Sequence, residues 1–289
     1  MEYEVIDDTM KIKISSLTQK TIADFLDSYI LSRKYRHLLI QDRRISIDDR
    51  YAKRDDILDG EYLKMKLYPV DVLKHKGHED IDVIYEDELC LIVYKRAGLL
   101  VHSDGNEEIT LEDLVDDHLF DSHSHGKAKA IHRLDKETQG LVFFSRTPYF
   151  QSFFDKELEF RRIKREYVAY VLGKIDSKMT IDVPIGRDRH DAKKMIVYKK
   201  GQSARTIIEP IAHDEKHSLV RCILKTGRTH QIRVHLSHIG HPIINDPLYG
   251  VIDDSLKEMG LCADRLSFYH PLKEEFITVS SDIPKDMVL

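Results

Sequence analysis

Short apolar–polar alternations recur from residue 81 onward, and this pattern most constrains the fold of the chain. The segment "DVIYEDELCLIVYK" predicts two strands around an acidic turn, and "EYVAYVLG" and "SLVRCILKT" alternate in the same way. A helix fits "TPYFQSFFDKELEF", with Thr147 as the N-cap and Pro148 as the first helical residue. Many strands with few helices between them predict an α+β fold with a mixed, mostly antiparallel sheet and flanking helices.

The first 75 residues have a different pattern, which predicts a small separate α+β module. The segment "TIADFLDSYILSRKYRHLLIQ" predicts two helices, with Ser32 as the N-cap of the second. Two short strands follow in "RISIDDRYA" and "GEYLKMKLY". The polar segment "PVDVLKHKGHED" is typical of a linker, so we place the boundary near residues 70–80 and a larger domain at residues 81–289.

Composition limits the class of protein. The 289 residues are 42% hydrophobic and 33% charged, which is typical of a globular chain, and no apolar run is long enough to span a membrane. The three cysteines, at positions 90, 222 and 262, have no C-x-x-C spacing. This pattern favours a reduced, cytoplasmic protein over a disulfide framework or a zinc-binding motif.

The charge is distributed unevenly along the chain. The net charge of −5 does not by itself indicate a nucleic-acid partner. Residues 33–54, however, carry eight Lys and Arg against three Asp, and residues 187–200 carry six against two. Local basic surfaces of this kind can bind phosphates on an acidic protein, although solvated faces without a binding role fit the same pattern.

Asp135 is the first candidate functional residue. It lies in "AIHRLDKETQGLVFFSR", just before an apolar run that we expect to form a strand buried on both faces. Arg133 supplies a cation that can keep this partly buried carboxylate ionised, and such a carboxylate suits a nucleophile or a general base. The alternative is an aspartate that only caps a turn and pairs with arginine, and this segment alone favours that alternative.

The second informative stretch is "LKTGRTHQIRVHLSHIGHPIINDPLYG", residues 224–250. It predicts a helix between Thr229 as the N-cap and Gly240 as the C-terminal stop. Three apolar residues form the inward stripe of this helix: Ile232, Leu236 and Ile239. Three polar residues share another face and can reach a neighbouring cleft: His230, Arg233 and Ser237.

Four histidines in this stretch, at positions 230, 235, 238 and 241, raise the question of a metal site. No cysteine or firmly placed carboxylate completes a ligand set. We therefore expect no metal here, and histidines that form hydrogen bonds at a helix surface.

Four motifs in order resemble the RluA-type family of RNA pseudouridine synthases over about residues 81–285. The segment "HRLDKETQGL" is similar to the family signature H-R-L-D-x-x-T-S-G-L, and "REYVAYVLG" is similar to K-x-Y-x-A-x-V-x-G. The segments "YEDELCLIVYKRAGLLVHSDG" and "TGRTHQIRVHLSHIGHPIINDPLYG" resemble the opening strand pair and the long C-terminal block. The resemblance implies the pseudouridine synthase fold for residues 81–289.

The N-terminal module resembles an S4-type RNA-binding domain. Asp48 and Asp49 stand where that family tends to have Asn-Gly. In the larger domain, Gln139 replaces the usual Ser, and Arg96 replaces the usual Pro after Lys95. We interpret these differences as local loop changes.

The resemblance also implies a reaction and its residues. The family breaks the N1–C1′ bond of uridine and rejoins the uracil through C5, without a cofactor. Asp135 would act at the ribose, either on C1′ or on the C2′ proton, and Arg233 would pair with it. Tyr167 would stack on the uracil and could shuttle the C5 proton, while Arg133 would help hold a flipped-out nucleotide or fill the space it leaves. Six further residues are expected to bind substrate: His132, Leu134, Gly140, Arg228, His230 and Gln231.

RNA is therefore the expected partner, and the protein is expected to be a monomer. The resemblance implies ribosomal RNA as the substrate, with transfer RNA as the alternative. Two functions of other classes stay open on the sequence alone: a catalytically silent RNA-binding protein, and a metal-dependent hydrolase that uses the histidines of residues 230–241.

Overall fold

The computed structural model describes residues 1–67, 80–105, 108–121 and 127–289. Residues 1–67 form a five-stranded antiparallel sheet with two helices and a 3₁₀ turn at Ile14–Ser16. The elements are β1 (Tyr3–Ile6), β2 (Thr9–Lys13), α1 (Ile22–Tyr29), α2 (Arg33–Gln41), β3 (Ile45–Ile47), β4 (Arg50–Tyr51) and β5 (Tyr62–Lys66). The sheet order is β1-β2-β5-β3-β4. The predicted linker lies outside the described residues as far as residue 79.

Helix α1 begins with a capping box that the residue types dictate. The Thr21 side chain accepts a hydrogen bond from the Asp24 backbone N–H at 3.1 Å, and Asp24 accepts one from the Thr21 N–H at 3.1 Å. Ser32 is the N-cap of α2, as predicted, but its side chain makes no capping hydrogen bond. Its backbone N–H donates instead to the Ser152 hydroxyl at 3.0 Å.

The remaining residues form the larger part of the molecule. Its first elements are β6 (Asp82–Glu86), β7 (Cys90–Lys95), α3 (Leu111–Asp121), β8 (Lys129–Ala130), β9 (Gln139–Ser145), α4 (Pro148–Glu159) and β10 (Lys164–Leu172). They are followed by β11 (Met179–Asp182), β12 (Ile185–Arg187), β13 (Met195–Val197), β14 (Arg205–His213), β15 (His217–Leu224), α5 (Gln231–His238), β16 (Leu261–His270) and β17 (Glu275–Ser280).

Ten of these strands form one sheet, in the order β11-β14-β15-β10-β16-β9-β7-β6, with β17 paired to β16 and β8 to β9. Strands β9 and β16 are parallel, and the other pairs of this sheet are antiparallel. The predicted α+β fold with a mixed, mostly antiparallel sheet is therefore confirmed. Strands β12 and β13 form a separate hairpin.

The parallel pair β9–β16 explains Gly140. Its φ is +117°, and a Cβ added there would collide with the backbone of Ala263 on β16. Only glycine permits this approach of two backbones. Gly140 is not among the residues that line the cavity described below. The contact with Ala263 gives Gly140 a packing role, and its role in substrate binding stays a prediction.

Apolar side chains cover both faces of the sheet. Strand β9 is buried on both faces, as predicted: Leu141 and Phe143 belong to one cluster, and Val142 and Phe144 to the other. The first cluster also contains the core of the N-terminal module and the aromatic side of α4, while the second contains residues of α3 and α5. Thr147 and Pro148 begin α4 as the sequence predicted.

The N-terminal module lies against α4. The rings of Tyr35 and Tyr149 meet edge to face with centroids 5.6 Å apart, and the Thr147 hydroxyl donates to the Leu67 carbonyl at 2.6 Å. Together with the shared apolar cluster, these contacts attach residues 1–67 to the larger part of the molecule. Within the described residues, none of the helices has the length and apolar character required to cross a membrane.

Candidate active site

A cavity of about 440 Å³ opens where the loop before β9 meets β10 and the start of α5. This volume lies within the range of about 300–1,000 Å³ that is usual for ligand pockets. Nine of the ten residues that the sequence predicted as site residues line it: His132, Arg133, Leu134, Asp135, Tyr167, Arg228, His230, Gln231 and Arg233. Tertiary structure thus brings together motifs that are far apart in the chain.

Asp135 lies on the loop before β9, and its side chain is 22% exposed. Its Oδ2 accepts a hydrogen bond from Arg233 Nη1 at 3.0 Å, and His230 Nε2 lies 3.8 Å away. The Thr138 N–H donates to the Asp135 carbonyl at 3.1 Å and so closes the turn that carries the carboxylate. The structure therefore places a partly exposed carboxyl group at the cavity wall with a guanidinium as its partner.

Arg233 is 1% exposed and binds two carboxylates. Nε and Nη2 donate to the two oxygens of Asp246 at 2.7 and 2.8 Å, while Nη1 reaches Asp135. Burial disfavours its charged form, but the bonds to Asp246 and the charge of Asp135 outweigh this effect and raise the pKa of Arg233. Arg233 is therefore a permanent cation with a fixed orientation toward Asp135.

Asp246 was missed by the sequence analysis. Its Oδ1 also accepts hydrogen bonds from the backbone N–H groups of Leu248 at 2.9 Å and Tyr249 at 3.1 Å. The aspartate before proline in "NDPLYG" is the signal that could have indicated this turn. Tyr249 continues the network, because its hydroxyl contacts His230 Nδ1 at 2.8 Å and accepts a bond from the Met195 N–H at 2.7 Å.

Tyr167 lies on β10 and is 6% exposed. It shares a face of the strand with Ala169 and Val171, and all three belong to the same apolar cluster. Burial raises the pKa of its phenol, and the nearby charge of Arg165 opposes this rise. The ring is therefore a neutral, apolar wall of the cavity at pH 7.

The loop before Asp135 contributes three residues to the cavity lining, and they differ in exposure to solvent. Arg133 is exposed at the cavity, whereas Leu134 is buried. His132 is 7% exposed, and its Nε2 accepts a hydrogen bond from the Phe143 N–H at 3.3 Å. Burial lowers the pKa of His132 to about 3, so it is a neutral structural side chain that lines the cavity.

Helix α5 begins later than predicted. His230, with φ of +55°, is the N-cap, so the prediction of Thr229 was wrong. The Gln231 side chain turns inward, where it accepts from the Arg228 N–H at 3.1 Å and donates to the Arg205 carbonyl at 3.1 Å. The side chain of Arg228 donates from Nε to the Ser203 carbonyl at 3.0 Å. Gln231 therefore holds the loop in place from inside the fold.

Lys95 connects the Asp135 loop to the loop after β7. This fully buried ammonium donates to the carbonyls of Leu99 at 2.7 Å, Lys136 at 3.0 Å and Arg96 at 3.1 Å. Burial lowers the pKa of Lys95 to about 8. The contact with the Lys136 carbonyl fixes the residue that follows Asp135.

Histidines of residues 230–241 make hydrogen bonds to separate partners. His235 contacts the Thr206 hydroxyl at 2.9 Å and the Val183 carbonyl at 3.1 Å, and His241 contacts the Leu172 carbonyl at 2.9 Å. Within the part of the chain that the structure describes, the group with metal-ligand chemistry is Asp87, Cys90 and His270. The Lys273 ammonium donates a hydrogen bond to Asp87 in this group at 3.0 Å.

Comparisons with known proteins agree with the motifs. Residues 89–238 match the family described as RNA pseudouridylate synthase. An uncharacterized RNA pseudouridine synthase of Bacillus subtilis is 37% identical over 72% of this chain and 70% of its own length. A ribosomal large subunit pseudouridine synthase D of Neisseria meningitidis is 34% identical over 92% of this chain and 75% of its own length.

A solved structure supports the fold. Human RNA pseudouridylate synthase domain containing 1 superimposes with a TM-score of 0.61 at 24% identity, over 72% of this chain and 86% of that one. The fold and the motifs around the cavity define an RNA-modifying isomerase. The chain belongs to the RluA-type family of RNA pseudouridine synthases.

Proposed function

We propose that this protein converts a uridine of large-subunit ribosomal RNA into pseudouridine, with Asp135 as the reacting carboxylate. The observation that carries the proposal is the 3.0 Å contact between Asp135 and Arg233 at the wall of the cavity. The names of several relatives, such as the Neisseria and Xanthomonas proteins, support ribosomal RNA as the substrate.

Each residue of the proposed site has a chemical task. Arg233 holds Asp135 aimed at the ribose, because a charge-assisted hydrogen bond is strong in a partly desolvated cavity. Tyr167 offers its ring face to the uracil, since base–aromatic stacking is worth about 1–3 kcal/mol. Arg133, exposed at the cavity, meets the RNA from which the nucleotide is flipped.

The reaction is an isomerisation and balances without a co-substrate. The N1–C1′ bond breaks and a C5–C1′ bond forms, while the proton lost from C5 is matched by the one gained at N1. Asp135 acts on C1′ or on the C2′ proton in the first step. Tyr167 relays the C5 proton, and its position in the cavity lining supports this role.

The test is to map pseudouridines in total RNA from cells with and without this protein. We expect one or more sites in large-subunit ribosomal RNA to be lost without it, restored by the wild-type chain and not by Asp135→Asn. The asparagine retains an acceptor for Arg233, so the fold should persist, which circular dichroism checks. Loss of pseudouridines only in transfer RNA would identify transfer RNA as the substrate. Restoration of the lost pseudouridines by Asp135→Asn would refute the role of Asp135.

We further propose that residues 1–75 are an S4-like module that binds RNA, beside a catalytic domain at residues 81–289, in a cytoplasmic monomer. A surface depression of the module is lined by four basic side chains, Arg33, Arg36, His37 and Arg54, and by Asp27, which pairs with Arg36 and Arg54. The three buried, unpaired cysteines suit a reducing compartment. Sedimentation of the purified chain tests the oligomeric state, and fractionation tests the location.

A further inference from the structure

We propose that Arg165 forms a phosphate-binding subsite of the cavity and holds a phosphodiester that flanks the target nucleotide. This inference rests on the proposed function, because it concerns how RNA enters the same cavity. Arg165 lies on β10 two residues before Tyr167, so both side chains point from the same face of the strand. Both line the cavity.

The guanidinium of Arg165 has no protein partner among residues 1–67, 80–105, 108–121 and 127–289. Its Nε is inaccessible to solvent and has no hydrogen-bond acceptor there. Buried polar groups are almost always paired, because an unpaired one loses hydration without compensation. Nη1 and Nη2 are not among the inaccessible unpaired atoms, so a guanidinium without a protein acceptor at this cavity wall is available to a ligand with acceptor oxygens.

The other arginines that line the cavity differ from Arg165 in their hydrogen-bond partners or in their exposure. Arg233 is paired with two carboxylates, and Arg228 donates to the Ser203 carbonyl. Arg133 is exposed at the cavity. Arg165 alone, among the four arginines that line the described cavity, is partly buried without a protein acceptor.

Gly227 provides the space that Arg165 occupies. A Cβ added to Gly227 would lie 2.9 Å from Arg165 Nη2, so any larger residue would displace the guanidinium. The loop before α5 and the β10 strand thus form a slot in which the planar group is held. A rigid guanidinium is suited to two oxygens of one phosphate, which it binds in a bidentate manner.

The position of Arg165 near Tyr167 indicates which phosphate it binds, namely one next to the target nucleotide. A uracil stacked on Tyr167 has phosphodiesters on both sides of its ribose, and one of them comes within reach of the residue two positions along the same strand. The contact stabilises the bound substrate and the transition state by the same free energy. Its loss should therefore raise KM and leave kcat almost unchanged.

The first experiment compares Arg165→Gln with Lys164→Gln, its matched control. Lys164 carries the same charge, but it is exposed and points from the opposite face of β10. On the RNA substrate identified by the mapping experiment, we expect Arg165→Gln to raise KM about 10-fold or more. Lys164→Gln should change KM less than about 2-fold, and Arg165→Lys should recover part of the loss. Equal KM values for Arg165→Gln and the wild type would overturn the proposal.

The second experiment identifies the phosphate. Single methylphosphonates, which lack the negative charge, replace the phosphates around the target uridine one at a time. At one position, the methylphosphonate should weaken RNA binding by the wild type and leave RNA binding by Arg165→Gln unaffected. A double-mutant cycle gives a coupling energy mainly for groups that are in contact. Equal effects on both proteins at every position would refute the subsite.

Binding of a short oligouridylate separates this inference from the proposed function. The slope of log affinity against log salt should be smaller by about 0.7–1 for Arg165→Gln, as expected for the loss of one phosphate contact. This measurement needs no turnover. If the wild type forms no pseudouridine, the proposed function fails, while an unchanged salt slope refutes the subsite alone. Since Arg165 has no protein partner in the described residues, Arg165→Gln should unfold at the wild-type temperature or above.

Discussion

At the scale of single residues, one guanidinium organises the site. Arg233 is nearly inaccessible, yet it binds Asp246 with two nitrogens and Asp135 with the third. A buried cation of this kind is stable only when its partners are present. Asp246 is consequently as important for the position of Arg233 as Arg233 is for Asp135.

Asp246→Ala should destabilise the protein by about 3–5 kcal/mol, because it leaves Nε and Nη2 of Arg233 buried without an acceptor. Urea unfolding measures the change, and pseudouridine formation should fall with it. Asp246→Asn is the control, since its amide oxygen preserves one acceptor and should cost less. An Asp246→Ala protein within about 1 kcal/mol of the wild type would contradict the assigned role.

His132 predicts a specific acid sensitivity. Its pKa is about 3 in the folded protein and 6.5 when unfolded, so between these values the unfolded chain binds the additional proton. Stability is therefore lost as the pH falls from 6.5 toward 3, by ~2 kcal/mol at pH 5 from this residue.

His132→Gln removes this titration and retains an acceptor for the Phe143 N–H. We expect the free energy of unfolding of the variant to fall less than that of the wild type between pH 8 and pH 5. Denaturant unfolding at several pH values measures the difference. His238→Gln, at an exposed position of α5, should leave the wild-type pH dependence intact. Parallel curves for His132→Gln and the wild type would show that His132 is protonated in the folded state.

At the scale of elements, the β12–β13 hairpin connects a basic surface to the site. Tyr249 accepts a hydrogen bond from Met195 on β13 and contacts His230 beside Asp135. The hairpin also packs on α5 through Ile185 and Val234. It is thus a fixed neighbour of the cavity, and residues 187–200 are basic.

Replacing Lys199 and Lys200 by Gln should weaken RNA binding and reduce its salt dependence, because each cation lost removes up to one phosphate contact. Both side chains are exposed, so the unfolding temperature should not change. The control replaces Lys257 and Lys285, two exposed lysines distant in sequence from the hairpin. An equal change of the salt slope in the two double variants would argue against a specific role of the basic residues 187–200.

The sequence predicted individual helices and strands better than it predicted contacts between them. Thr147 caps α4, and Tyr167 and Ala169 share one face of β10. Both features depend on residues that are neighbours in the chain. The start of α5 was missed because His230 adopts a left-handed conformation, which its contact with Tyr249 helps to hold. That contact joins residues 19 positions apart, so no local rule contains it.

At the scale of the whole molecule, the N-terminal module and the larger domain share an apolar cluster. Phe25 and Leu39 of the module belong to the same cluster as Phe143 and Phe268 of the large sheet. The Tyr35–Tyr149 contact lies at this junction. The two parts therefore stabilise each other, although each has its own sheet.

Deletion of residues 1–79 should lower the unfolding temperature and increase binding of a hydrophobic dye, because it uncovers Tyr149 and Phe150. RNA binding should weaken as well if the module binds RNA. Tyr35→Ala in the full chain is the milder comparison, since it removes one contact and leaves both parts in place. A truncated chain as stable as the full one would mean that the shared cluster adds little.

The sequence by itself determined many of the strands, the helices α1, α2 and α4, and the identity of the motif residues, because alternation, capping and motif spacing act over a few positions. Tertiary structure alone decided which of these residues meet. Asp135 and Arg233 are 98 positions apart, and their contact exists only because the sheet and α5 bring the two segments to one cavity. The pairing of Arg233 with Asp246, the unpaired Arg165 and the packing role of Gly140 have the same origin, since they depend on distances through space rather than along the chain.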